Sequence, residues 1–176
     1  LCAGPALADK IFVSNEKGNT ISVLDATSLE VIHTIEGMQR PRGITASPDG
    51  KHIYVCASDD SLVRVYDAET YEELPSLPSG PDPELFVLHP SGNPLFIANE
   101  DDNIVTVVDV NTRQVLAEVP VGVEPEGMGV SPDGKVEQRT GTRERAVRHR
   151  DRGAIELRVR EHRAGRGHRA RHRTAR

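Results

Sequence analysis

The chain has 176 residues, enough for one domain of ordinary size, but its charge is unevenly spread. Residues 1–136 hold 8 Lys+Arg against 22 Asp+Glu, a net of −14, whereas residues 137–176 hold 14 Arg, no Lys and 5 acids, a net of +9. Two cysteines exclude a disulfide framework and a Cys-rich metal site, and no apolar run approaches the ~20 residues of a transmembrane helix.

The first eight residues, Leu1-Cys2-Ala3-Gly4-Pro5-Ala6-Leu7-Ala8, are small and apolar, and the polar Asp9-Lys10 follows at once. Ala6-Leu7-Ala8 fits the A-x-A cleavage pattern, so residues 1–8 are expected to be the remnant of a secretory signal peptide. Leu1 is the wrong neighbour for a lipid anchor on Cys2. In the periplasmic or secreted location this implies, Cys56 would be an unpaired thiol and would need burial.

Ile11-Phe12-Val13 reads as a short strand, followed by the polar turn Glu16-Lys17-Gly18-Asn19. Alternation at Ile21 and Val23 predicts the next strand, and Val31-Ile32-His33-Thr34-Ile35 another. Gly43-Ile44-Thr45-Ala46 opens a second unit, and Ser47-Pro48-Asp49-Gly50 reads as a type I turn. Ile53-Tyr54-Val55, Val63 with Val65, and Glu73-Leu74 continue that unit. Leu85-Phe86-Val87-Leu88 begins a third, with Leu95-Phe96-Ile97, Val105 with Val107, and Val115-Leu116-Ala117-Glu118-Val119 following. Gly127-Met128-Gly129-Val130 starts a fourth. No long amphipathic helix interrupts the series.

These units repeat every 42 residues in one register. Phe12, Tyr54 and Phe96 keep the interval, as do Asp25, Asp67 and Asp109, and Ser28, Thr70 and Thr112. Pro41, Pro83 and Pro125 keep it too, with Pro48, Pro90 and Pro132, and Gly50, Gly92 and Gly134. Four short strands per unit define the blade of a β-propeller. The fold class is therefore all-β: a β-propeller of four-stranded antiparallel blades, incomplete at about three blades. Three strands over 11–35 make a partial blade, 43–77 and 85–119 make two full ones, and 127–130 is one strand of a fourth.

The register dies just after Lys135, so the propeller is placed at residues 9–136. Burying the tail's few aliphatics, Val147, Ile155, Leu157 and Val159, would supply ~6–12 kcal/mol. Ordering its forty residues costs on the order of 40–80 kcal/mol of backbone entropy. Residues 137–176 are thus expected to be a disordered, Arg-rich tail. Loss of the repeat, of Lys and of aromatics at one point is what translation out of frame produces. That reading is preferred to an anionic-surface arm or an electrostatic clamp on the acidic body, and no nucleic-acid partner is expected.

Ile11-Phe12-Val13-Ser14-Asn15 and Leu95-Phe96-Ile97-Ala98-Asn99, with Ser47-Pro48-Asp49-Gly50-Lys51 and Ser131-Pro132-Asp133-Gly134-Lys135, resemble the YVTN-type propeller repeat. The second unit departs from it, with Ala57 for Asn and His89-Pro90-Ser91-Gly92-Asn93 at the turn. In its acidic flavour and apparent signal peptide the chain is similar to periplasmic β-propellers associated with PQQ-dependent catabolism. That resemblance implies a ring of about seven blades and a non-enzymatic binding or scaffold role in PQQ-dependent alcohol oxidation. Its partner would be a small polar ligand or a periplasmic oxidoreductase. Similar propellers include lactonases and haem d1-binding domains, which keeps an enzyme or cofactor-binding reading alive.

C-x-x-C-H, Walker, G-x-S-x-G, H-E-x-x-H and G-x-G-x-x-G motifs do not occur, and no cofactor or metal is expected. The acidic turns Asp59-Asp60 and Asp101-Asp102-Asn103 lack calcium-loop spacing and read as solvated hairpin turns. His33, His52 and His89 fall in different columns, while Asp25, Asp67 and Asp109 end a strand and are expected to cap the following turn. One column carries the binding hypothesis. Arg42, Glu84 and Glu126 follow the repeated proline and open the innermost strand, where a propeller's channel begins. With an open fan of blades exposing edges, the chain on its own is expected to self-associate or precipitate and to be inactive.

Overall fold

A computed structural model of the chain describes residues 9–125, 127–131 and 136–139. These residues form thirteen strands and no α-helix. Blade 1 holds β1 (Lys10–Asn15), β2 (Thr20–Asp25) and β3 (Val31–Ile35) in sequential order. Blade 2 is β4 (Pro41–Ala46), β5 (His52–Ala57), β6 (Leu62–Asp67) and β7 (Glu73–Pro78). Blade 3 is β8 (Pro83–Leu88), β9 (Leu95–Asn99), β10 (Ile104–Asp109) and β11 (Gln114–Pro120). All neighbours are antiparallel, as hairpin connections require. The innermost strands start two residues earlier than their apolar runs, at the repeated Pro41 and Pro83. Proline is tolerated at a strand's first residue, where a ladder donor can be spared.

The last pair, β12 (Gly127–Val130) with β13 (Val136–Arg139), carries regular structure three residues beyond the expected boundary at 136. The remaining tail and the presumed signal remnant, residues 1–8, lie outside the described residues. Among the described residues no helix is long and apolar enough to cross a membrane.

The core is the set of layers between successive sheets. Side chains alternate between faces along each strand. Ile53 and Val55 pack with Ile21, Val23 and Met38 against blade 1, whereas Tyr54 and Cys56 pack with Leu95 and Ile97 against blade 3. Phe96, Val105 and Val107 cover the far side of blade 3, under Met128 and Val130. Cys56 is fully buried, and desolvation pushes its thiol well above the ordinary range, so it is an inert core residue.

Backbone conformation repeats even where residue identity does not. Asn19, Ser61 and Asn103 all adopt left-handed φ, at 55°, 54° and 56°, after the first hairpin turn of each blade. The Ser47 turn closes with a Gly50 N–H···O=C Ser47 bond of 2.9 Å. The divergent His89 turn closes identically, Gly92 N–H to His89 O at 2.8 Å.

The aspartate column caps its turns as expected. Asp25 Oδ1 accepts the backbone N–H groups of Ser28 and Thr27, both at 2.8 Å. Asp67 does the same with Thr70 and Glu69, and Asp109 with Thr112 and Asn111. These donors hold all three carboxyls below the ordinary carboxylate range; at Asp109 the Asn93 amide adds to Thr112. A depressed native pKa stabilises the fold above the unfolded value of about 3.9, and that contribution is lost as pH falls through the native values. Stability measured by urea melts should therefore fall from pH 5 toward pH 2. An Asp25→Asn/Asp67→Asn/Asp109→Asn variant should show a flatter slope, and an unchanged slope would refute the linkage.

Candidate functional site

The proline-led start of each innermost strand gathers the charged residues of three blades. Arg40, Asp82 and Glu124 stand just before the prolines with φ of 51°, 45° and 52°, a left-handed geometry that is costly for residues with a Cβ. Asn side chains brace two of them. Asn19 Oδ1 accepts the Arg40 N–H and Asn103 Oδ1 accepts the Glu124 N–H, both at 2.9 Å. Ser14 and Ser58 hydroxyls tie the same segments to the preceding blade, donating to the carbonyls of Arg42 and Pro83 at 2.7 Å. Neighbouring innermost strands come so close that a Cβ on Gly43 would sit 3.0 Å from the Glu84 carbonyl oxygen.

On this frame Arg42 Nη1 is ion-paired with the buried Glu84 of the next blade and lies 3.6 Å from Glu100 Oε2. Its Nε is 3.8 Å from Glu16 Oε1 of blade 1. Arg40 reaches outward to Glu16 at 3.4 Å, Asp59 at 3.2 Å and Asp82 at 3.4 Å. Two guanidinium groups thus serve five carboxylates drawn from three blades, and the mouth is net negative. Such a surface accepts hydrogen bonds from hydroxyl and ammonium groups. Among the described residues the ion-pair network is built of Arg and carboxylate alone.

Of the expected column, Arg42 and Glu84 come together, and Glu126 lies outside the described residues. Arg40, Glu16, Asp82 and Glu100 were missed, although Arg40 and Asp82 fall in the repeat column just before the prolines and Glu16 and Glu100 share a column in the first hairpin turn. The acidic turn of blade 2 is more than solvated: Asp59 meets Arg40, and Asp60 accepts from Arg64 at 2.7 and 3.1 Å. Among the described residues no three His, Cys, Asp or Glu side chains cluster as metal ligands. The histidines are dispersed. His33 stacks on Tyr71 at 4.4 Å, and His89 bonds Ser91 within its turn. His52 lines a cleft of about 460 Å³ between blades 2 and 3, together with Asp49, Tyr54 and Arg113, at the opposite ends of the innermost strands.

Sheets of antiparallel strands set radially around a charged mouth define a β-propeller. Residues 9–121 match the family described as lactonase, 7-bladed beta-propeller, and the chain belongs to that family. No curated protein matches the sequence. The fold is similar to that of Kuenenia stuttgartiensis hydrazine synthase, with a TM-score of 0.69 at 23% identity over 73% of this chain and 38% of that one. It is also similar to the dihydro-heme d1 dehydrogenase NirN in complex with DHE, with a TM-score of 0.64 at 16% identity over 74% and 30% of the two chains. The chain thus spans about a third of the length of either protein.

Proposed function

We propose that the chain is a segment of a non-enzymatic, periplasmic or secreted propeller that binds a small polar ligand or a periplasmic oxidoreductase. The YVTN-like repeats and the signal-like start favour a place beside PQQ-dependent alcohol oxidation. The single observation that carries binding is the mouth itself, where Arg42 and Glu84 join adjacent blades amid surplus carboxylates that accept hydrogen bonds. Thermal-shift titration with primary alcohols, hydroxy acids, amines and PQQ should give a saturable shift for at least one compound. Glu84→Gln should reduce that affinity at least tenfold, since the amide removes a hydrogen-bond-accepting charge from the mouth. Absence of any shift would refute the reading.

A second reading is an enzyme or a cofactor-binding propeller, favoured by the lactonase family match and by the likeness to a protein solved with DHE. Lactone hydrolysis above background, or a saturable absorbance change with haem, would install it in place of the first.

A further inference from the structure

The gap between blades 1 and 2 and the gap between blades 2 and 3 share one backbone plan and are filled differently. Tyr71 and Arg113 stand 42 residues apart, in the turns that follow β6 and β10. Both are left-handed, with φ of 63° and 58°. Their N–H groups donate to the carbonyls of Asp67 and Asp109 at 2.9 and 2.8 Å. The two side chains therefore leave matching backbone. In the first gap the Tyr71 ring is a plug. It stacks on His33 with centroids 4.4 Å apart, meets Phe12 edge-on at 6.3 Å, and has Lys10 Nζ 4.7 Å from its centre.

Forty-two residues on, His52, Tyr54 and Pro75 stand in place of Lys10, Phe12 and His33, and Arg113 stands in place of the plug. All four line the cleft of about 460 Å³ between blades 2 and 3, over the apolar side chains of Val65, Leu74 and Leu77. Small-molecule pockets run from about 300 to 1,000 Å³. Arg113 stands at the exposed rim. Among the described residues neither its guanidinium nor the Tyr54 hydroxyl has a hydrogen-bond or ion-pair partner. Tyr54 is 3% exposed, and desolvation, with Asp49 adding to it, pushes its pKa up, so near neutral pH the hydroxyl keeps its proton. Asp49, which also lines the cleft, already accepts from the Ser47 hydroxyl and the Lys51 N–H. Both walls are four-stranded blades.

We infer that this cleft is a second binding site, independent of the mouth, for a small aromatic carboxylate. The ligand's ring takes the place that Tyr71 fills between blades 1 and 2, against Pro75 and the apolar floor. Its carboxylate accepts from the planar fork of the Arg113 guanidinium, a geometry that suits two parallel hydrogen bonds. The Tyr54 hydroxyl is a further donor. An uncharged ring leaves Arg113 unpaired, and an acid as small as acetate leaves the apolar floor in water. Ring and charge are therefore both required.

Fluorine NMR titration of the full chain with 4-fluorobenzoate should show saturable line broadening. Benzoate should compete, whereas acetate and benzyl alcohol at the same concentration should not. Arg113→Met should weaken binding at least tenfold while keeping the strand signal by circular dichroism, since Leu29 holds the same left-handed position in blade 1 with φ of 60°. Arg113→Tyr should abolish binding by restoring the plug, and Tyr71 shows that the position accepts tyrosine. Lys17→Met, which removes an exposed cation from the first hairpin turn, should leave the affinity unchanged. Absence of saturable binding would overturn the inference. So would affinity that survives either Arg113 substitution, an equal loss with Lys17→Met, or competition by acetate or benzyl alcohol as strong as that by benzoate.

Discussion

Arg42→Ala is expected to destabilise the chain by about 1–3 kcal/mol, below the 3–5 of a fully buried pair because the Arg42 side chain keeps 24% exposure. The loss comes less from the missing attraction than from what stays behind. Glu84 remains buried, with Glu100 and Glu16 nearby and without the guanidinium that paired with it. Arg40→Ala should cost less, about 0–1 kcal/mol, because two of its three partners, Glu16 and Asp59, are about half exposed and solvent screens them, leaving only Asp82 largely covered. The double variant Arg42→Ala/Glu84→Ala should recover much of the Arg42→Ala loss, since it removes the stranded carboxylate. Urea midpoints at pH 7 measure all three. If Arg42→Ala were no worse than Arg40→Ala, the Arg42–Glu84 pair would be an ordinary surface contact and a poor anchor for a ligand site.

The blades were legible in the sequence because a propeller repeats a local solution. Apolar alternation, the capping aspartates and the proline-led strands each recur at 42 residues, and the strands, turns and left-handed positions recur with them. The Arg42–Glu84 meeting was legible only as a column, since residues 42 apart come to stand side by side on neighbouring blades. What the column could not give was partnership. Glu16 lies in the first hairpin turn, and its contact with Arg40 and Arg42 depends on how far blade 1 rotates against blade 2, a tertiary quantity with no periodic trace. Strand β13 was missed for a related reason. Four residues without alternation pair because β12 offers unsatisfied backbone groups, and backbone hydrogen bonding does not depend on side-chain pattern.

Phe96→Ala should be the most damaging single truncation in the aromatic column, at about 3–5 kcal/mol. Phe96 is almost fully buried among Val105 and Val107, with Met128 and Val130 packed against that cluster. It therefore supports both the far face of blade 3 and the seat of β12. Against a total stability of about 5–15 kcal/mol, the change should move a large share of molecules toward the unfolded state. Phe12→Ala removes the same side chain from the same repeat position, but Phe12 is only half-buried in blade 1, so its cost should be about 1–3 kcal/mol. Hydrogen exchange adds a local readout. Phe96→Ala should strip protection from residues 127–130 before blade 2 opens, because β12 loses its packing while the cluster of Ile21, Val23, Ile53 and Val55 stays intact. Equal costs for the two phenylalanines, or protection at 127–130 that survives the substitution, would mean that β12 is held by something other than the apolar layer over blade 3.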